Sequence, residues 1–218
     1  MTKTIWITRT QPAAAQSASV WAEAGFEPEV LALLDVMPVA YSPIPKNAIL
    51  IFTAKNGVDH MAQTDHRAIC VGDATAAHAE ASGFRDVVSV DGTSADITRW
   101  VLANLNKDGT LIHISGRHVR GTITEDLAAA GYNATRVITY ELTPVPTWPV
   151  KRISHVALYS PLAAKTFAEL ARERDVSTLT TVSISKATNA ELDGLSLNAR
   201  YIATRPTEAA LVKAVQTP

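Results

Sequence analysis

The sequence predicts an α/β protein of two lobes, each a parallel sheet flanked by helices, with the first lobe discontinuous in the chain. Three observations lead there. Short apolar runs of strand length alternate with helix-period segments through almost all 218 residues. Proline-rich stretches at 38–45 and 144–149 interrupt that alternation. The unit before the first break is too short to enclose a core, so it must pair with the section after the second. The expected division is 1–36 plus 144–218 for one lobe and 43–136 for the other. Linker strands at 37–42 and 137–143 join them.

Strands are expected at 5–8, 27–33, 49–52, 68–71, 87–90, 111–114, 135–143, 156–159, 181–184 and 201–203. Helices are expected at 13–24, from 56, and at 73–82, 94–104, 122–130, 162–172, 188–195 and 207–215. The first helix carries Ala14, Ala18, Trp21 and Ala22 on one face, and Gly25 stands where a helix-ending glycine belongs. Ser94 is placed to cap a helix whose core face carries Ile97, Trp100, Val101 and Asn104. Ile123, Leu127 and Ala130 align on the next one, closed by Gly131.

Composition removes several function classes. A 47% apolar content supports a packed core, and a net charge of −1 creates no field that would draw in nucleic acid or a membrane surface. No apolar run approaches the roughly 20 residues of a membrane span. A single cysteine, Cys70, excludes a disulfide framework and reads as a buried, inert thiol. With no signal-peptide core at the N-terminus, the expected location is the cytoplasm.

Open α/β sheets bind ligands beyond the carboxyl ends of their strands. The residues at those ends are Thr8, Thr53, Gly72, Ser115, Ser160, Ser185 and Thr204, six hydroxyls and a glycine. Several of them open helices, as in Thr53-Ala54-Lys55, Gly72-Asp73-Ala74-Thr75 and Ser160-Pro161. Helix N-termini present free N–H groups that favour anions. Arg9, Lys55, Arg117, Arg120, Lys165, Lys186 and Arg205 lie within a few residues of the same ends. Two readings stay open. The hydroxyls are helix caps and the cations a solvated surface, or together they hold a polycarboxylate through charge-assisted hydrogen bonds.

Other chemistry finds no support. The six histidines are scattered, and His113 in an apolar strand reads as a satisfied core residue. No metal-ligand spacing, glycine-rich dinucleotide loop, phosphate-binding loop or nucleophile elbow occurs. An enzyme built this way is expected to work without metal or nucleotide.

The chain resembles the uroporphyrinogen-III synthase family along nearly its full length. The resemblance rests on Ile7-Thr8-Arg9, Ile51-Phe52-Thr53-Ala54-Lys55-Asn56-Gly57-Val58, Val71-Gly72-Asp73-Ala74-Thr75-Ala76, Ile114-Ser115-Gly116-Arg117, Val137-Ile138-Thr139-Tyr140, Tyr159-Ser160-Pro161 and Val182-Ser183-Ile184-Ser185, in that order. It implies two Rossmann- or flavodoxin-like lobes joined by a two-stranded antiparallel linker. It also implies cofactor-free closure of hydroxymethylbilane, a linear tetrapyrrole octacarboxylate, to uroporphyrinogen III plus water, with the last ring inverted. The substrate would come from hydroxymethylbilane synthase to a monomer that holds it in an interlobe cleft. Tyr140 matches the family's linker tyrosine, which would assist loss of the substrate hydroxyl. The implied substrate-binding set is Thr8, Arg9, Thr53, Ala54, Lys55, Gly72, Thr75, Ser115, Gly116, Arg117, Ser160, Pro161, Lys186 and Thr188. The chain departs from the family at Ala54, often serine, and at Ser185, often glycine. A non-catalytic bilobal module that binds a tetrapyrrole or another polyanion is the alternative.

Overall fold

The run Ile49–Phe52 is apolar at every position because a hydrophobic core lies on each of its faces. In the computed structural model, which describes residues 3–119 and 121–216, the chain separates into two compact units, Met1–Asp35 with Thr143–Pro218, and Val36–Leu142.

The first unit contains β1 (Lys3–Ile7), α1 (Ala13–Glu23), β2 (Phe26–Val30), β9 (His155–Leu158), α6 (Pro161–Ala171), β10 (Thr180–Ser183), α7 (Lys186–Ala190), β11 (Ala199–Ile202) and α8 (Glu208–Gln216). Its strands run in the order β11-β10-β9-β1-β2, with every pairing parallel. Side chains alternate across a strand. Ile5 and Ile7 therefore face a cluster with Trp21, Val182 and Leu211. Trp6, between them, meets Phe167 and Trp148 on the opposite side. The proline-rich segment of the second break is thus anchored by its tryptophan.

The second unit contains β4 (Ile49–Phe52), α2 (Lys55–Asp59), β5 (Arg67–Cys70), α3 (Asp73–Ala81), β6 (Val87–Ser89), α4 (Ser94–Asn104), β7 (Thr110–Gly116) and α5 (Ile123–Ala129). Its sheet runs β3-β8-β7-β4-β5-β6, where β3 is Leu34–Pro38 and β8 is Asn133–Pro144. Leu50 and Phe52 join one core with Val58, Ala79 and Phe84. Ile51 joins the other with Ile97, Val101, Leu127 and Tyr132. Cys70 is fully buried, and burial pushes its thiol up to about 12, so no thiolate forms near neutral pH.

The chain passes between the units on β3 and β8, which are neighbours in the sheet. The Val39 N–H donates to the Thr139 carbonyl and the Val145 N–H to that of Leu33. Residue numbers rise on one strand as they fall on the other, so the pair is antiparallel. The first of these strands ends at Pro38, earlier than the 37–42 span read from the sequence.

Gly25 and Gly131 end α1 and α5 in the left-handed region, with φ of 87° and 86°, as their positions predict. Three local expectations are corrected. Thr93, not Ser94, caps α4, because Thr93 and Asp96 satisfy each other's backbone N–H groups in a capping box. Ala22 and Asn104 are exposed rather than in the core. Buried Ser17 takes a core position in α1 that the apolar pattern passes over.

Candidate functional site

In the second unit the end of β7 carries Ser115, Gly116 and Arg117 against β8. The register shifts there, so that Gly116 faces Tyr140. A Cβ on Gly116 would fall 2.7 Å from Cε2 and 2.9 Å from Cζ of Tyr140. Glycine is required because the phenol ring lies on its backbone. The Arg117 N–H donates to the Tyr140 carbonyl at 3.0 Å, and the Arg117 guanidinium pairs with Glu141. Burial raises the Tyr140 pKa above its ordinary value, with the Gly116 backbone hydrogen bond opposing. The group is a neutral phenol at pH 7.

Residues that the sequence did not single out complete this end. The His60 ring lies 5.5 Å from that of Tyr140. Its Nδ1 lies 2.8 Å from the Asn56 carbonyl, an acceptor only, so Nδ1 carries the proton. Arg136 donates through Nε to Ser115 Oγ at 3.0 Å, and through Nη2 to the carbonyls of Gly116 at 3.1 Å and Arg117 at 2.6 Å. The turn after β7 is therefore clasped by a guanidinium. No local sequence signal marks Arg136, since its role depends on the β7–β8 register.

Thr53 Oγ1 and His113 Nε2 are 3.1 Å apart. His113 is the core residue the sequence suggested, 4% exposed. Burial, aided by the Arg136 charge, lowers its pKa from 6.5 to about 4. Between those values the unfolded chain binds the proton and the folded one does not. Stability therefore falls as pH drops from 6.5 to 4, by on the order of 3 kcal/mol for this group. His155, lowered by burial and by Lys3, acts in the same direction. His113→Gln should flatten the slope of unfolding free energy between pH 6.5 and 4 in urea titrations; an unchanged slope would assign it to other groups.

Ala54 and Lys55 open α2, and Lys55 has no hydrogen-bond or ion-pair partner among the described residues. Gly72 opens α3, and nothing lies within 4 Å of where its Cβ would be. Thr75 is buried in the first turn of α3. Arg120 lies outside the described residues.

In the first unit several expected ligand groups are engaged internally. Thr8 is buried and donates to the Ala157 carbonyl at 2.7 Å, tying β1 to β9. Ser160 caps α6 by accepting the Ala163 N–H, with Pro161 at the first helical position. Ser185 caps α7 through the N–H of Thr188, which is fully buried. Its φ of −158° is extended backbone, so serine replaces glycine there without strain. Lys165, Lys186 and Arg205 are exposed. Arg9 stands over the Tyr159 ring at 4.6 Å and reaches Glu208 at 3.4 Å.

Among the described residues no group of three or more His, Cys, Asp or Glu side chains could hold a metal, and no helix is long and apolar enough to cross a membrane. The structure resembles a uroporphyrinogen-III synthetase from Helicobacter pylori at 16% identity, with a TM-score of 0.67 and coverage of 100% of this chain and 99% of that one. A mutant uroporphyrinogen III synthase from Thermus thermophilus matches at 14% identity and a TM-score of 0.51, covering 99% of this chain and all of that one. At such identities the likeness is one of fold. No curated protein matches by sequence. The family described as "Uroporphyrinogen-III synthase HemD" matches residues 15–213. The chain belongs to the uroporphyrinogen-III synthase family.

Proposed function

We propose that this chain closes hydroxymethylbilane into uroporphyrinogen III with inversion of the last ring and loss of water, as a lyase of tetrapyrrole biosynthesis. The family match across residues 15–213 carries this reading. The reaction balances without a redox partner. The hydroxyl leaves with a proton from the last ring as water. Two carbon–carbon bonds form, at the closure and at the last ring's other α-carbon, while that ring's original bond to its bridging carbon breaks, and no electrons are exchanged with another molecule.

Hydroxymethylbilane also closes by itself to the symmetrical isomer. The enzyme must favour a different attacking carbon, and a hundredfold preference needs only about 2.7 kcal/mol of differential barrier. Holding a flexible substrate in one geometry is able to supply that amount. Tyr140, neutral and seated on Gly116, would donate a hydrogen bond to the departing hydroxyl. A phenol above its ordinary pKa is a weak acid, so its part is modest. The cationic azafulvene left behind needs oriented acceptors. The Gly116 and Arg117 carbonyls already accept from Arg136, which leaves that stabilisation to other groups. Lys55, Lys186 and Arg9 would meet substrate carboxylates.

Tyr140→Phe should lower the rate of isomer III formation about tenfold, or about 1.4 kcal/mol in barrier, with substrate affinity retained. Abolished activity with intact binding would make Tyr140 an essential acid instead. The function itself is tested by adding the protein to hydroxymethylbilane generated in situ and separating the oxidised products into isomers I and III. A large excess of isomer III is expected. Isomer I alone, at the uncatalysed rate and with folded protein, would overturn the reading.

A further inference from the structure

Four donors from three parts of the first unit converge on one carboxylate. Glu208 is the first residue of α8, and its side chain is 18% exposed. Its Oε1 accepts from Tyr159 Oη at 2.6 Å and from Trp21 Nε1 at 2.8 Å. Its Oε2 accepts from Ser17 Oγ at 2.9 Å and from Arg9 Nη1 at 3.4 Å. Ser17 and Trp21 lie on α1, while Arg9 and Tyr159 follow the carboxyl ends of the adjacent strands β1 and β9. A carboxylate saturated by four donors is held firmly, and so is everything bonded to it.

The Arg9 bond is the longest of the four. Three nearer donors already answer the Glu208 charge, so the ion pair orients the guanidinium without consuming it. The Tyr159 ring supports its face at 4.6 Å, and Nη1 is further tied to Ser17 Oγ at 3.3 Å. Nε and Nη2 have no partner among the described residues. That free edge is the planar, two-donor fork that fits a carboxylate. It stands at the carboxyl edge of a parallel sheet, where such folds receive ligands.

We propose that Glu208 is a positioning residue that presents the free edge of Arg9 to one carboxylate of the tetrapyrrole. This rests on the synthase reading above. The residue acts on substrate capture and not on the departing hydroxyl, so its removal should appear in KM.

The experiment measures initial rates of isomer III formation from preformed hydroxymethylbilane for the wild type, Glu208→Gln, Arg9→Lys and the double variant, with circular dichroism and thermal unfolding on each. Glutamine keeps the shape at 208 and lysine keeps the charge at 9. The expected result is a KM raised about tenfold in each single variant, as for loss of one charge-assisted bond, with kcat changed less than threefold. The double variant should be no worse than the poorer single one, because both act through one contact. Folded variants with unchanged KM would overturn the proposal and leave Glu208 as a structural clasp. So would a raised KM in Glu208→Gln alone, since Arg9 would then not be the contact. A folded wild type that forms no isomer III would remove the synthase reading and this proposal with it, a result distinct from active enzymes of equal KM.

Discussion

Gly116→Ala should reduce isomer III formation about a hundredfold, the order of loss that a displacement near 1 Å produces in a positioned site. The new methyl group would stand 2.7 Å from Tyr140 Cε2, 2.9 Å from Cζ and 3.2 Å from Oη. No packed carbon tolerates that separation. The backbone at Gly116 is held by Arg136 and by the strand register, so the ring must move. Overpacking of this kind costs about 1–3 kcal/mol of stability, small enough for the protein to remain folded. The comparison with Tyr140→Phe is decisive. Loss of the hydroxyl alone removes one hydrogen bond, whereas Gly116→Ala shifts the ring, the bulge and the clasped turn together. Gly116→Ala placed on Tyr140→Ala should have little further effect, because the space the methyl needs is then empty. If Gly116→Ala matches wild type in rate, the seat of the phenol has no part in the reaction.

Trp6→Ala should destabilise the first unit by about 3–5 kcal/mol, the range for removing a buried aromatic. Trp6 is fully buried, with ring contacts to Trp148 at 5.2 Å and Phe167 at 5.9 Å, and its Nε1 donates to the Leu31 carbonyl at 2.7 Å. Trp148 stacks on Phe167 at 5.7 Å and lies under Arg174 at 4.8 Å. The substitution therefore opens a cavity and also releases the proline-rich segment at 144–149 from its anchor. Total stabilities of 5–15 kcal/mol are usual, so a large share is at stake. Urea unfolding followed by circular dichroism would measure it, and limited proteolysis would show whether cleavage moves to 144–149. A loss under about 1 kcal/mol would mean that Phe167 and Trp148 close over the gap.

Much of the architecture is readable from local pattern. Ile49-Leu50-Ile51-Phe52 is continuous apolar strand because cores lie on both faces, and Gly25 ends α1 because only a residue at ease with φ of 87° fits there. The misplaced cap of α4 was also readable. Thr93 has Asp96 three residues on, whereas Ser94 has Ile97, which offers no reciprocal bond. Apolar patterning missed Ser17, whose buried hydroxyl donates to Glu208, a partner far away in sequence.

The site was harder to read. The clusters depend on pairings far apart in sequence. Arg136 meets Ser115 across a parallel pair, and Glu208 meets residues nearly two hundred positions earlier. Hydroxyls at strand ends look alike whether they cap, tie strands or remain free. Thr8 and Ser160 are now seen in the first two roles. Their distinction lies in where the neighbouring backbone runs, which no local window contains.

The pairing of β1 with β9 joins residues about 150 positions apart, as Ile5 with His155. The segment forming β1 leaves the ribosome well before that of β9 and has only β2 beside it until β9 is made. Residues 36–142 are complete by then. They form a unit with its own sheet, able to collapse first and draw together the ends of the chain that flank it. Closing a loop through a folded insert is entropically easier than closing an open one of the same length. Early collapse of the second unit would thus shorten the closure that pairs β1 with β9. Variants that slow its collapse should leave β1 and its tryptophan exposed to aggregation during synthesis.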